Sequence, residues 1–402
     1  MNNRTLRVLH TADLHLGTTF RSLPDREVAA QLRQEHEQLI PRLLTTAREQ
    51  AVDVLLLAGD LFDTPTADPR LVQRLIHGLG DLTGTESFIC AGNHDPCLHE
   101  SFWLGVDWPA NVHFFAPGGP DSFVLPELDL RVSGASFSDV YASEPLYAVG
   151  ERGEEAFQLL LLHGEITSPG SPSTYNPIRV GDLAGAGFDY AALGHIHLPQ
   201  TGALGTEGAL WRYPGAPQGR GFDELGLRGF WLGELSKSPV GGGRRARLEQ
   251  QWTRRLEQQW TLLPSGARPF LIRDVEITAA ETEQELQRLL EARLLELEHA
   301  EPELRWRDAL LRIRLTGRPT LPYAPDPEHH RQALLALGYY YVEIEDATRP
   351  AYDPEQLRQE TGFNAALMEI VDEQAGTHDA AALERALDLV LQMEREVRDG
   401  SA

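Results

Sequence analysis

The sequence predicts an α/β fold with a mostly parallel sheet, and two features of the chain support this prediction. Short apolar runs of strand length alternate with segments of helical periodicity over residues 7–90, which is the pattern of βαβ units. Clusters of Asp, Asn and His follow directly after five apolar runs, at residues 6–9, 54–57, 88–90, 159–162 and 190–193. Because sites in open α/β sheets form where strands end at their carboxyl edge, these clusters point to one place.

Composition sets limits on the class of protein. The chain has 402 residues, which is enough for about two or three domains, and its formal net charge is −24. That charge disfavours attraction to nucleic acid over the whole surface, but it leaves room for an enzyme with local, metal-mediated contacts. No segment approaches the roughly 18 to 20 apolar residues of a membrane span, and residues 1–7 lack a signal-peptide core. Two cysteines, Cys90 and Cys97, cannot form a disulfide framework, so we expect a cytoplasmic protein without a membrane anchor.

The elements of the first half follow from the apolar pattern. Strands are predicted at 7–11, 52–57 and 87–90, and helices at 25–50 and 69–79. After residue 95, short segments at 112–115, 122–125 and 128–133 alternate with Gly and Pro turns and suggest an antiparallel part of a mixed or second sheet. Segments 159–162 and 190–193 are apolar on both faces and are therefore central strands, whereas 211–215 and 229–235 are expected to close the sheet.

A linker is predicted at residues 236–267, after a catalytic domain of residues 1–235. It contains a closing strand and a tandem repeat, RLEQQWT, at 247–253 and 255–261. One interpretation of the repeat is a duplication in a tolerant loop. The other is a basic arm whose arginines contact phosphate and whose tryptophans stack on bases.

The last third of the chain predicts a small α/β domain and a helical tail. The small domain spans 268–346, with strands at 271–277, 310–315 and 340–344 and helices at 281–299 and 327–337. The tail, residues 347–402, is acidic and carries an apolar stripe at Leu383, Ala386, Leu387, Val390 and Leu391. This stripe either packs on the chain's own small domain or binds a partner protein.

The polar clusters predict a centre with two divalent metal ions. The candidate ligands are four imidazoles, two carboxylates and one amide: Asp13, His15, Asp60, Asn93, His163, His195 and His197. This mixture suits Mn, Fe or Zn better than Mg alone. Seven ligands exceed what one ion with open positions requires, whereas they suit two ions about 3.5 to 4 Å apart that share a carboxylate. His94 is then placed to protonate a leaving oxygen, and Asp95 is expected to orient the ring of His94.

Each cluster has an ordinary explanation when it is taken alone. His163 follows four leucines and could be a buried core histidine, and Gly59-Asp60 alone indicates only a turn. The order of the clusters along the chain, each at a strand end, favours a shared site.

At this point the sequence resembles a known family, the calcineurin-like metallophosphoesterases. The motifs that carry the resemblance are Asp13-x-His15, Gly59-Asp60-x-x-Asp63, Gly92-Asn93-His94-Asp95, His163-Gly164 and Gly194-His195-x-His197. The resemblance covers roughly residues 5–235 and implies a four-layer αββα sandwich. It implies one metal held by Asp13, His15, Asp60 and His197, and a second held by Asp60, Asn93, His163 and His195. It also implies that His94 is the proton donor.

Within that family the sequence is most similar to bacterial DNA repair exonucleases of the SbcD and YhaO-like group. The similar segments are HTADLHL at 10–16, NVHF at 111–114, ALGHIH at 192–197 and YPGAPQGR at 213–220. The resemblance implies a Mn-dependent double-stranded DNA exonuclease and single-strand endonuclease, with a small domain that caps the site. It also implies tail helices that bind an SMC-like ABC-type ATPase, similar to SbcC or YhaN, and it leaves a homodimer open. Arg220, at the end of the last segment, is a candidate phosphate or DNA contact.

Two other functions compete with the nuclease. One is a metal-dependent phosphatase or phosphodiesterase for a small molecule or a phosphoprotein, but a minimal phosphatase does not need the residues after 270. The other is a scaffold whose metal site is structural or regulates the ATPase, but the presence of His94 argues against it.

Overall fold

A computed structural model describes residues 4–99, 101–147, 153–168, 170–205, 208–239, 254–319 and 325–398. The chain divides into two compact units, residues 1–269 and residues 270–402. Among the described residues, none of the helices is both long and apolar enough to cross a bilayer.

The first unit contains two six-stranded sheets. The first sheet has the order β12-β11-β1-β2-β3-β4 and the second has the order β5-β6-β7-β8-β10-β9. The strands of the first sheet are β1 (Arg4–Thr11), β2 (Val54–Ala58), β3 (Glu86–Cys90), β4 (Val112–Phe114), β11 (Gly229–Pro239) and β12 (Arg254–Pro264). The strands of the second sheet are β5 (Asp121–Leu125), β6 (Leu130–Gly134), β7 (Phe157–His163), β8 (Tyr190–Gly194), β9 (Gln200–Ala203) and β10 (Leu210–Tyr213).

Both sheets have a parallel centre and antiparallel margins. Strands β1 to β4 are parallel, and β11 and β12 run antiparallel to β1 and to each other. In the second sheet β6, β7, β8 and β10 are parallel, with β5 and β9 antiparallel at the edges. The expected antiparallel segment is therefore only partly correct, because β4 extends the first sheet in the parallel direction.

Helices cover the outer faces, which gives four layers. The helices of this unit are α1 (Arg26–His36), α2 (Leu39–Glu49), α3 (Pro69–Gly80) and α4 (Val180–Gly185). In β2, Val54 and Leu56 face the second sheet, whereas Leu55 and Leu57 face the helices, as the twofold alternation of a strand requires. The predicted αββα sandwich is confirmed.

The single helix predicted over residues 25–50 is two helices. α1 ends at His36 and α2 begins at Leu39. Leu32 and Leu39 are seven residues apart, so the apolar spacing continues in phase through the break and gives no sign of it.

Most of the predicted linker that can be described is strand. Residues 236–239 continue β11, and residues 254–264 pair with it as β12. The second copy of the tandem repeat lies in β12, where Trp260 stacks on Tyr190 of β8 with ring centroids 4.3 Å apart. The first copy falls outside the described residues, as does most of the glycine- and arginine-rich segment before it.

The second unit contains a three-stranded parallel sheet and a helical tail. Its strands are β13 (Phe270–Glu276), β14 (Leu310–Thr316) and β15 (Tyr341–Asp346), and its sheet helices are α5 (Glu283–Ala300) and α6 (Pro327–Ala336). The tail consists of α7 (Pro354–Gln359), α8 (Phe363–Gln374) and α9 (Ala380–Arg398). Arg318, just after β14, pairs with Asp388 of α9 at 2.6 Å, so part of the tail packs on its own small domain.

Candidate metal centre

Polar side chains from both sheets meet at one edge of the sandwich. Asp13 and His15 follow β1, Asp60 follows β2, and Asn93 follows β3 in the first sheet. In the second sheet His163 is the last residue of β7, and His195 and His197 follow β8. The structure thus brings all seven candidate ligands together, because parallel strands of both sheets end on this edge.

The loops that carry these ligands have an unusual backbone. Asp13, His15, Asp60 and His195 have φ values of 54°, 44°, 50° and 106°, in a region that L residues rarely adopt. Each such residue costs about 1 to 3 kcal/mol, and such conformations are typical of functional sites. Hydrogen bonds from the Asp13 N–H to Gly59 O (3.0 Å) and from the His15 N–H to Asp60 O (2.9 Å) hold two of the loops against each other.

Asp60 lies between the two groups of ligands. Its Oδ2 atom is 3.7 Å from His15 Nε2 and 3.4 Å from His163 Nε2, so one oxygen faces both imidazoles. Its Oδ1 atom accepts the backbone N–H of His94 at 2.8 Å. Gly92 packs directly on this carboxylate, and a Cβ atom at position 92 would overlap it. The position of Asp60 suits a ligand shared by two ions.

The first group of ligands fits a divalent cation. His15 Nε2 and His197 Nε2 are 3.2 Å apart, and Asp13 lies within reach of both. Asp13 Oδ1 accepts the N–H of His195 at 2.9 Å, whereas Asp13 Oδ2 is buried and has no hydrogen-bond partner. A buried carboxylate oxygen without a donor, beside two imidazole nitrogens, is an arrangement that a bound cation would satisfy.

The second group surrounds the side-chain oxygen of Asn93. His163 Nε2 is 3.0 Å and His195 Nδ1 is 3.2 Å from Asn93 Oδ1. His163 Nδ1 lies 2.9 Å from the carbonyl oxygen of Ala58, to which it can donate its proton. That bond leaves Nε2 of His163 with a free lone pair toward Asp60 and Asn93.

The electrostatics of the centre favour bound positive charge. Burial alone would raise the pKa of Asp60, but His163 and His15 outweigh burial and keep the pKa below its usual range. Burial opposes the charged form of His163, but Asp60 and Asp13 raise its pKa to about 9. Burial lowers the pKa of His195 to about 3 and so keeps that imidazole neutral, the form that binds a metal.

His94 stands at the open side of the centre. Its ring is exposed and meets the His15 ring edge to face, with centroids 4.7 Å apart. Nδ1 of His94 lies 3.3 Å from the backbone oxygen of Asp63, so Nε2 is the nitrogen that remains for a substrate.

Asp95 has a different task from the one expected. Its buried carboxylate accepts the backbone N–H groups of Leu61 (2.8 Å), Phe62 (3.1 Å) and Gly92 (2.8 Å). These bonds tie the loop after β2 to the loop after β3. The side chain nearest to Nδ1 of His94 in the described residues is instead that of Asp63, 4.0 Å away. Asp95 therefore shapes the loops and does not orient His94.

Sequence reasoning gives Glu224 no role. Its Oε1 atom accepts from Nδ1 of His197 at 2.6 Å. Burial alone would raise the pKa of Glu224, but His197 holds it at about 2. Glu224 follows no strand, so the strand-end pattern could not identify it. The only sequence signal is its position four residues after Arg220, in the loop between β10 and β11.

Comparisons with known proteins agree with this geometry. Residues 6–199 match the family model described as calcineurin-like phosphoesterase. The chain is 30% identical over 245 residues to the uncharacterized metallophosphoesterase YhaO of Bacillus subtilis, covering 58% of this chain and 59% of that protein. It is 30% identical over 262 residues to the SbcD component of the SbcCD nuclease of Escherichia coli K12, covering 55% and 62%. It is also 26% identical over 276 residues to the DNA double-strand break repair protein Mre11 of Methanopyrus kandleri, covering 62% and 58%. The matched segments thus span about three fifths of each relative.

Proposed function

Because residues 6–199 belong to the calcineurin-like phosphoesterases, we propose that this chain is a DNA repair nuclease that hydrolyses phosphodiester bonds with two manganese ions. The observation that carries the proposal is the single carboxylate of Asp60 between two complete ligand groups, with His94 exposed beside them. The choice of DNA as substrate is supported by relatives that are named as a component of the SbcCD nuclease and as the DNA double-strand break repair protein Mre11.

The residues divide into two ligand sets and one acid. Asp13, His15, Asp60 and His197 would hold one ion, and Asp60, Asn93, His163 and His195 the other. Two bound divalent ions would neutralise phosphoryl oxygens and make water a stronger nucleophile. His94 holds its Nδ1 proton against the carbonyl oxygen of Asp63 and can deliver a proton from Nε2 to the leaving oxygen.

The test is hydrolysis of end-labelled linear double-stranded DNA by the purified protein with Mn²⁺. We expect release of label that His94→Ala abolishes while its metal content stays at the wild-type level. His99→Ala, which removes another exposed histidine from the same stretch of chain, should leave the rate unchanged. Hydrolysis of a small chromogenic phosphodiester without cleavage of DNA, even with the ATPase partner added, would contradict a DNA substrate.

We also propose an SMC-like ATPase as partner of the tail. Helix α9 buries Leu387 and Leu391 against α7 and α8, but it exposes Leu389 (61%), Met393 (63%) and Val397 (70%). These three residues are four apart, so they form one apolar stripe that fits a helix of a coiled coil.

The double variant Leu389→Gln, Met393→Gln should lose co-purification with the ATPase partner. Leu295→Gln, which changes a leucine of α5 that is 49% exposed, should retain it. Retention of the complex by the double variant would show that this stripe is not the dock.

A further inference from the structure

The two histidines of the first ligand group share a feature that the second group lacks. His15 and His197 both turn Nε2 toward the centre, where these atoms are 3.2 Å apart. Behind each ring, a carboxylate faces Nδ1: Asp63 Oδ1 is 3.2 Å from His15, and Glu224 Oε1 is 2.6 Å from His197. A carboxylate at Nδ1 fixes the tautomer that leaves Nε2 free to bind a metal, and it also fixes the plane of the ring.

One guanidinium links the two carboxylates. Arg220 Nη1 lies 3.5 Å from Asp63 Oδ1, and Arg220 Nη2 lies 3.4 Å from Glu224 Oε1. The backbone N–H of Arg220 also donates to Glu224 Oε2 at 2.9 Å, so the second oxygen of that carboxylate is held as well. Asp63, Arg220 and Glu224 thus form a continuous chain from one ligand to the other.

The second ligand group has no comparable charged support among the described residues. Nδ1 of His163 faces the backbone carbonyl of Ala58, and Nδ1 of His195 faces Asn93 Oδ1. Removing a side chain from the charged chain should therefore affect only one of the two metal sites.

We propose that Asp63, Arg220 and Glu224 are one positioning unit that sets the metal affinity of the site formed by Asp13, His15, Asp60 and His197. The proposal rests on the two-metal centre of the proposed function, but it does not depend on DNA as the substrate. It also changes the role expected for Arg220, whose side chain is engaged behind the ligands and serves them before it serves a phosphate.

The experiment is a titration of the metal-free full-length chain with Mn²⁺ alone, by calorimetry and by elemental analysis after dialysis. We expect the wild type to bind two ions, and Glu224→Ala to bind one of them about 10 to 100 times more weakly. Glu224→Gln keeps an acceptor for Nδ1 and should recover part of the loss. Arg220→Met should weaken the same site, because it frees both carboxylates.

The matched control is Asp223→Asn, which removes an exposed carboxylate from the same loop and should leave both affinities unchanged. Thermal unfolding of each metal-free variant shows whether the chain is folded before metal is added. Two ions bound by Glu224→Ala with unchanged affinity, or equal weakening of both sites, would overturn the positioning unit. An unchanged Mn²⁺ titration of Arg220→Met together with a raised KM would assign Arg220 to the substrate instead. Failure of the wild type to bind two ions would overturn the proposed function itself.

Discussion

At the scale of single residues, Asp60 concentrates the demands of the site. Its two oxygens face His15, His163 and the backbone of His94, and its own backbone has a left-handed φ. An aspartate is among the residue types that tolerate this conformation best, and it also supplies the charge that the imidazoles need. One residue therefore combines a turn, a hydrogen-bond acceptor and the shared ligand.

Replacing Asp60 with Ala should remove metal from both sites. Because Asp60 belongs to both ligand sets, we expect less than about one Mn²⁺ per chain after desalting, measured by elemental analysis. Asp107→Asn, at an exposed loop position, should retain the wild-type content. A full complement of two ions in Asp60→Ala would refute the shared-ligand assignment.

A second prediction concerns His10, which lies between the two sheets. Burial and the nearby charge of Arg212 lower the pKa of His10 to about 3, below the value near 6.5 that an unfolded chain has. The unfolded chain therefore takes up a proton below pH 6.5 that the folded chain refuses. Its contribution to stability is complete above pH 6.5 and falls by about 1.4 kcal/mol per pH unit as the pH drops toward 3.

Urea unfolding at pH 7.5 and pH 5.0, with a chelator present, measures this effect. His10→Gln should lose about 2 kcal/mol less free energy of unfolding between these pH values than the wild type does. His99→Gln changes an exposed histidine and should show the wild-type loss. An equal loss in His10→Gln would mean that other groups control the acid sensitivity.

The ligand residues could be predicted from the sequence because each follows a strand, and strand ends are visible as polar residues after apolar runs. Glu224 and Asp63 could not be assigned, because their partners lie 27 and 48 residues away in the chain and meet them only after both sheets have formed. The role expected for Asp95 is wrong for the same reason. Its neighbour in sequence is His94, but its hydrogen bonds go to Leu61, Phe62 and Gly92.

At the scale of elements, periodicity predicts the parallel strands and the layers. It does not separate α1 from α2, since the apolar spacing is continuous across residues 37 and 38. It also misses the full length of β11 and β12. These strands carry charged and polar residues beyond the core, and their pairing is set by their partner strands and not by their composition.

Lys237 of β11 forms an element-scale contact that can be tested. Its ammonium group donates to Asp189 Oδ1 and to Ala156 O, both at 2.6 Å, and so ties the first sheet to a loop of the second. Lys237→Met should lower the free energy of unfolding by about 3 to 5 kcal/mol, because it leaves the buried carboxylate of Asp189 without its cation. Chemical denaturation measures the change.

The double variant Lys237→Met, Asp189→Asn serves as the control for this prediction. It removes the buried charge together with its partner, so it should be more stable than the single variant. A single variant as stable as the wild type would mean that water reaches Asp189 easily.

At the scale of the whole molecule, metal binding and folding of the first unit should be linked. The ligands come from loops that exist only in the folded sandwich, so ions bind the native state and not the unfolded chain. Each site filled at about 100 times its Kd should add about 2.7 kcal/mol of stability.

Thermal unfolding with and without Mn²⁺ measures this linkage. The melting temperature of the wild type should rise with Mn²⁺, and that of Asp60→Ala should rise far less. An equal rise in both proteins would place the stabilising ions outside the proposed centre.

The ligand sets have a mechanical consequence. Asp13, His15, Asp60 and Asn93 belong to the first sheet, and the other three histidines belong to the second, so every ion would take ligands from both. The ions would act as rivets across the seam of the sandwich. A force that slides one sheet past the other would have to break coordination bonds at this edge, in addition to the packing and hydrogen bonds that join the sheets elsewhere. Chelation should therefore make the sandwich easier to shear open, beginning at the edge where the chemistry takes place.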